Sequence, residues 1–415
     1  MQLNGPVEKR SMYTIRNLGQ PTIPSPVQAS VFIDDGRRIL ENPYIDAENR
    51  PVAADQRSLE IAGPRKVIYF DPSKTKAAIV TCGGLSPGIN DVIRAVVMEL
   101  YYGYGVKNIS GIRYGFQGLI PSYGHPLMEL TPDVVKDFHL DGGSKLASSR
   151  GSQDIGEMVD SLRRLNINLF FCIGGDGTMK AVQLIAEEIE RRNLDISVVG
   201  IPKTIDNDVF GTDFTFGFDS AVNIATDAID RLHTTANSHK RIMVIELMGH
   251  TAGWLTLYAG MAGGGDVILL PELGYDMKVV NRYLRDRAYK KKPYSIVVVA
   301  EGIEKPKEEA SAAAYVAKII EKGTHIETRT TILGYVQRGG SPSPMDRILA
   351  TRFGSHAVQL IAEEKFGRMV TNVNGQTSSI PLKEVAGKLN LVPKDHSLIR
   401  KARALDICMG DFCEF

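Results

Sequence analysis

Three carboxylates stand where a metal ion and phosphate oxygens could meet. Asp176 lies in CIGGDGT (172–178), and Asp206 and Asp208 lie in PKTIDND (202–208). Each segment is glycine-rich or turn-forming and follows an apolar run, INLFFCI (167–173) or ISVVGI (196–201). A third glycine-rich loop, CGGLSPG (82–88), follows AAIVTC (77–82). Acidic residues at such points ordinarily serve as solvated turn residues. Glycines, however, allow close backbone approach to a ligand, and helix N-termini present N–H groups and a positive dipole end to anions. Carboxylates belong among anion-binding loops when they hold Mg²⁺, which takes carboxylate, water and phosphate oxygens together. The three loops together point to a Mg²⁺–phosphate site.

The elements that must position these loops alternate in type. AAIVTC reads as a buried strand, and the following GINDVIRAVVMELYY carries Ile89, Val92, Ile93, Val96, Val97 and Leu100 at helical spacing. VKNISGIR (106–113) reads as the next strand. The pattern recurs with INLFFCI, a helix bearing Val182, Ile185, Ala186 and Ile189 on one face, and ISVVGI. RIMVIEL (241–247), DVILL (266–270) and YSIVVVA (294–300) are further β-rich runs. Strands alternating with helices imply the α/β class, with parallel sheets covered on both faces. Ligands in such folds sit at the C-terminal ends of the strands. All three loops therefore share one sheet edge, with helices starting near Gly88 and Thr178 aimed at it. Residues 1–75 differ: Pro21, Pro24, Pro26, Pro43, Pro51, Pro64 and Pro72 punctuate them, which predicts an extension packed on the main body.

The chain has 415 residues, 43% hydrophobic and 23% charged, enough for two domains with sizeable cores. A net charge of +1 gives no basic surplus for nucleic acid or an anionic membrane. Cys82, Cys172, Cys408 and Cys413 form neither a disulfide framework nor a metal-type pattern. No apolar stretch is long enough to span a bilayer, and the N-terminus lacks a signal-peptide core. These features together lead to the expectation of a cytoplasmic protein. The GxGxxG dinucleotide fingerprint is absent.

The order of motifs carries more. TCGGLSPGINDVIR, GGSKLASSRG, GGDGT, PKTIDND, MGHTAGWL, PE at 271–272, AEG at 300–302 and ETRTTILGYVQRGGSPSPMDR run in sequence from about Lys76 to about Gly367. In this order they resemble the 6-phosphofructokinase family. The resemblance implies two Rossmann-like lobes with mainly parallel sheets flanked by helices, the phosphofructokinase fold. It implies a donor lobe over 76–215 with 338–375, a fructose 6-phosphate lobe over 216–337, and extensions at 1–75 and 376–415. The implied reaction is the Mg²⁺-dependent transfer of a phosphoryl group from ATP to the C1 hydroxyl of fructose 6-phosphate. It gives fructose 1,6-bisphosphate and ADP, a step of glycolysis, in an enzyme of an allosteric family.

By motif position, Asp206 is the general base, with Lys203 and Thr204 beside it. Asp176 matches the magnesium residue, and Asp208 is a second candidate. Gly84, Phe116, Arg150, Gly175, Asp176, Gly177 and Thr178 match the donor side, with Phe116 near the adenine. Thr204, Asp206, Met248, Gly249, His250, Glu272, Tyr335 and Arg338 match the sugar-phosphate side. Arg241 and Arg329 match arginines that reach the 6-phosphate from a neighbouring subunit. That implies a homo-oligomer with shared active sites, a tetramer built from dimers.

Four residues depart from the family pattern. His250 stands where most members have arginine, Tyr335 where many have histidine, and Ala181 where many ATP users have glycine. Lys203 replaces a glycine found in the simplest bacterial ATP enzymes. Pyrophosphate-using relatives have aspartate at the position of Gly177, where a carboxylate would occupy the space of a nucleotide α-phosphate. Gly177 with Lys203 resembles the ATP-dependent long subgroup of plants and trypanosomatids, so ATP is the expected donor. MGHTAGW keeps a pyrophosphate-dependent fructose 6-phosphate 1-phosphotransferase open as the alternative. NAD kinases and some lipid kinases share GGDGT but not the substrate arginines. A non-catalytic subunit of this fold would lack Asp176, Asp206 or the arginines, and all are present.

Overall fold

The computed structural model describes residues 20–28, 31–34, 36–40, 48, 58–61, 63–292, 294–362 and 365–411. Much of the expected N-terminal extension, including Pro43 and Pro51, and also Cys413, lie outside the described residues. The principal strands are β1 (Lys76–Thr81), β2 (Asn108–Ile112), β3 (Met128–Glu129), β4 (Leu169–Gly174), β5 (Ser197–Pro202), β6 (Ile242–Leu247), β7 (Val267–Leu269), β8 (Ser295–Ala300), β9 (Thr328–Ile332), β10 (Arg368–Val373) and β11 (Gln376–Pro381). The principal helices are α1 (Ile89–Met98), α2 (Ile155–Arg164), α3 (Asp176–Arg191), α4 (Phe218–His239), α5 (Trp254–Ala262), α6 (Met277–Tyr289), α7 (Ala312–Thr324), α8 (Pro344–Ala362) and α9 (Ser397–Ala404).

Two sheets result. The larger has seven strands in the order β11-β10-β5-β4-β1-β2-β3. Its inner strands are parallel and its two edges antiparallel. The smaller has the order β7-β8-β6-β9 and is parallel throughout. Strands β1, β4, β5, β6 and β8 are buried on both faces, which is why they read as apolar runs, whereas the edge strand β9 (TRTTI) is largely exposed. On one face of the larger sheet Ile79, Phe171 and Ile201 pack with Val92 and Val96 of α1 and Phe353 of α8. On the other, Val80, Phe170 and Val198 pack with Leu162 of α2 and with Val182 and Ile185 of α3. The smaller sheet places Ile245, Ile296 and Val298 with Ile229 of α4 and Leu255 of α5. Its reverse face places Val244, Val297 and Val299 with Leu284 of α6 and Ile320 of α7.

Three details go beyond the expected pattern. The stripe after Gly88 ends its α-helical part at Met98 and continues as a π-helical turn, Glu99–Gly103, which keeps Leu100 buried. The N-terminal residues contribute two short ladders, Ile23–Pro24 with Val67–Ile68 and Arg38–Leu40 with Ser58–Glu60, and Ile23, Val27 and Phe70 pack on the first core. The expected boundary at 375 falls inside the β10–β11 hairpin, so the larger sheet takes residues through Pro381. Thr377, Ser378 and Ser379 are buried there, and Arg368 donates to Ser379 Oγ and O, each at 2.8 Å. Beyond the hairpin the chain returns to the smaller sheet, where Ile399 and Ala402 of α9 join the core.

Candidate active site

Because β1, β4 and β5 are adjacent and parallel, their C-terminal ends deliver the CGGLSPG, GGDGT and PKTIDND loops side by side. They open on a cleft of about 1060 Å³ that the smaller sheet closes from the other side. Gly84, Phe116, Arg150, Gly175, Asp176, Gly177, Thr178, Lys203, Thr204, Asp206, Asp208, Met248, His250, Tyr335 and Arg338 all line it. Ala181 and Leu184 join Phe116, Ile155 and Met158 along an apolar stretch of the wall.

The cationic groups converge on the first loop. A Cβ at Gly84 would lie 3.1 Å from Arg338 Nη1 and 3.7 Å from Arg150 Nη2, so the two guanidinium groups meet over this glycine. The Lys203 ammonium donates to the Gly84 carbonyl. Lys203 is buried, and burial, helped by the Arg338 charge, pulls its pKa down to about 8. Asp176 opens α3 after Gly175, and its Oδ1 is buried with no hydrogen-bond partner among the described residues. A Cβ at Gly177 would meet nothing within 4 Å.

The PKTIDND loop is braced from within. The Asp206 N–H donates to Thr204 Oγ1 (3.0 Å). Asn207 adopts a left-handed conformation, φ +53°. Its Oδ1 accepts the Thr215 N–H (2.9 Å), and its Nδ2 donates to the Asp213 carbonyl (3.0 Å). Burial pushes Asp206 up to about 6; Asp208 adds to the push, and Arg338 opposes it. Burial also raises Asp208, with the Thr204 side chain pulling down and the Asp176 charge pushing up. Arg338 Nη2 stands 3.8 Å from Asp206 Oδ2.

Across the cleft, Met248 donates its N–H to Gln337 Oε1 (2.9 Å). Gly249 and His250 donate theirs to Glu301 Oε1, at 3.2 and 2.8 Å. His250 is left-handed, φ +52°, which turns its N–H toward that carboxylate. Glu301 itself lines the cleft. It is a residue the motif assignment passed over, although AEG places a carboxylate at the end of an apolar run.

Four expected site residues lie outside the cleft lining. Gly249 sits just behind it. Glu272 Oε1 instead accepts the Gly253 and Val392 N–H groups, each at 2.9 Å. Arg241 precedes β6, at the end of that strand away from Met248, and its Nε donates to Glu327 Oε2 (2.6 Å). Arg329, in β9, also pairs with Glu327. Within one chain neither arginine reaches the cleft.

No group of three or more His, Cys, Asp or Glu side chains among the described residues could hold a metal by itself. The orphaned Oδ1 of Asp176 fits instead a hard cation held by few carboxylates and completed by phosphate oxygens and water, as Mg²⁺ is.

The two sheets with phosphate-type loops facing across a cleft define a two-lobed α/β protein of the phosphoryl-transfer kind. Comparison with known proteins narrows this. The profile of the family described as Phosphofructokinase matches residues 76–361, and the chain belongs to the phosphofructokinase family. It is 48% identical over 346 residues to the ATP-dependent 6-phosphofructokinase 3 of Bacteroides thetaiotaomicron, covering 81% of this chain and 100% of that one. It is 44% identical over 369 residues to the ATP-dependent 6-phosphofructokinase of Spirochaeta thermophila, covering 82% and 99%. Among solved structures, a pyrophosphate-dependent phosphofructokinase from Nitrosospira multiformis superposes with a TM-score of 0.72 over 83% of this chain and 94% of that one. At 21% identity that likeness is one of fold.

Proposed function

We propose that the chain is an ATP-dependent 6-phosphofructokinase, transferring the terminal phosphoryl group of ATP to the C1 hydroxyl of fructose 6-phosphate in glycolysis. The observation that carries this reading is the approach of Asp206 and Arg338 from opposite sides of the cleft, beside the cationic cluster over Gly84. The larger sheet serves as the donor lobe and the smaller as the sugar-phosphate lobe.

Phosphoryl transfer leaves the protein mainly positioning and electrostatic work. Asp206 takes the C1 hydroxyl proton on its unpartnered Oδ1. A pKa raised toward neutrality makes it a stronger base than an ordinary carboxylate, while it is still ionised at pH 7. Arg150 and Lys203 face the donor phosphates, and Lys203 also tethers the loop that carries Gly84. Asp176, with Asp208 as second candidate, would hold Mg²⁺, which supplies charge neutralisation on the phosphate oxygens. Thr204, Met248, His250, Tyr335 and Arg338 bind the sugar phosphate. The open space at Gly177 and the apolar wall with Phe116 support a nucleotide donor. Arg241 and Arg329, remote from their own cleft, suit a homotetramer in which each subunit completes its neighbour's 6-phosphate site.

The test is turnover of fructose 6-phosphate with Mg²⁺, with ATP and pyrophosphate compared in one assay. ATP should support fast turnover and pyrophosphate little. Fast turnover with pyrophosphate alone would reverse the donor assignment and turn attention to Lys203, Ala181 and His250.

A further inference from the structure

Asn390 lies beyond the region that the family profile matches, yet it holds the loop that carries Asp206 and Asp208. Its N–H donates to the Asp208 carbonyl (2.8 Å), and its Nδ2 donates to the Asn207 carbonyl (3.0 Å), from 183 residues away in sequence. Its own carbonyl accepts the Trp254 indole N–H (2.8 Å). Two residues on, Val392 donates its N–H to Glu272 Oε1, the same oxygen that takes the Gly253 N–H at the start of α5. Leu389 bridges to Val209 and lines the cleft, and Val392 is buried in the core of the smaller sheet. One short run therefore hangs the acidic loop of the larger sheet on the α5 end of the smaller one.

The loop needs such a hold. Asparagine enters the left-handed region more readily than other non-glycine residues, because its short side chain can hydrogen-bond locally, and it stays there when its surroundings hold it. Asn207 is such a residue, and it stands between the two carboxylates. Thr215 and Asp213 fix its side chain. Asn390 fixes its carbonyl and the next one, which sets the peptide planes on which the neighbouring side chains ride.

We propose that Asn390 is a positioning residue for the reaction, within a strap, Leu389–Val392, that seats the acidic loop against the second lobe. The kinetic part of this proposal rests on the reading of Asp206 as the base. In the full chain, Asn390→Ala removes one hydrogen bond and keeps both backbone ones, and Asn390→Asp keeps the shape without the donor. Both should lower kcat about tenfold or more while each KM stays within about twofold. The emission of Trp254, the single tryptophan, should stay unchanged because the strap remains seated. Amide hydrogen exchange over 203–215 should accelerate severalfold, and this holds whatever the wild type turns over. Absence of wild-type turnover with either donor would therefore sink the functional reading alone. Unchanged exchange, or kcat within about twofold of wild type, overturns the strap. So does a kcat loss accompanied by higher KM values and a red-shifted Trp254, since the segment would then merely hold the fold. If the Asn390 variants do not fold, Trp254→Phe releases the strap from its other side and should give the same kcat-only loss.

Discussion

Asp206 and Arg338 face each other at 3.8 Å, one following β5 of the larger sheet and the other closing the turn after β9 of the smaller. Opposite charges so placed would ordinarily hold a carboxylate low. Here burial and the Asp208 charge outweigh the guanidinium, and the pKa still rises to about 6. The geometry keeps a basic oxygen at the interface of the lobes.

If that oxygen takes the substrate proton, Asp206→Ser should lower kcat by about 10²–10⁴-fold. The KM for fructose 6-phosphate should stay within a few fold, because Arg338 and Met248 remain. Steady-state kinetics with a circular-dichroism control checks this, and near-normal turnover rules out the base assignment.

Gly177 is the second lever. It lies in the first turn of α3, where an added Cβ meets nothing. Aspartate there suits the helix dipole and should keep or slightly raise Tm. The same carboxylate would point negative charge into the donor space. Gly177→Asp should therefore cut kcat/KM for ATP by about 100-fold or more, roughly 3 kcal/mol of transition-state stabilisation. Competing ATP against pyrophosphate reads the change in donor preference directly.

Lys203 tests the cationic cluster. Its ammonium is buried and tied to Gly84, so Lys203→Met keeps most of the packing while removing the charge. Turnover with ATP should fall by about 100-fold, as for loss of a preorganised electrostatic donor. The Tm should hold or rise, since a buried charge that lacks full compensation is gone. A thermal scan beside the kinetics separates the two effects.

A pH test lies away from the cleft. Asp91 of α1 is buried, and its Oδ2 has no hydrogen-bond partner among the described residues. Burial pushes its pKa up to about 7; Arg347 and Arg94 pull the other way, and Asp346 adds to the push. The folded state then holds this proton more tightly than the unfolded chain does. The stability it contributes is full below about pH 4 and is lost as pH rises through 7. Asp91→Asn cannot ionise, so it should match the wild type near pH 4 and exceed it at pH 8 by on the order of 2 kcal/mol. Denaturant melts at the two pH values decide; an equal difference at both would rule out the ionisation.

The three loops were legible because β1, β4 and β5 are buried on both faces, β4 and β5 end at glycine and proline, and β1 runs into a glycine pair one residue on. Strand β11 was not: QTSSIP holds no apolar run, and although Ser379 pairs with Arg368 across the hairpin, the Thr377 hydroxyl is buried with no hydrogen-bond partner among the described residues. Glu301 was visible as a carboxylate after a strand, but its part depends on the left-handed backbone of His250, which periodicity does not report. Glu272 carried the same kind of signal, and its Oε1 turned to the amides of Gly253 and Val392 instead. Asn390 had no local signal at all, since everything it touches is distant in sequence. Arg241 and Arg329 fall outside the cleft of their own chain, where both pair with Glu327, a placement the motif order does not report.

The pairing of β10 with β5 also governs the order in which the molecule can be made. Between Val199 and Arg368 the ribosome must deliver the whole smaller sheet, so the nascent larger sheet waits with β5 as an open edge. Such edges invite pairing with other chains, and long-range strand closure is slow. The PKTIDND loop, already synthesised, cannot take its final geometry until β10, β11 and Asn390 emerge. A product cut short before Arg368 would be a sticky intermediate for chaperones and proteases, and not a weakened enzyme.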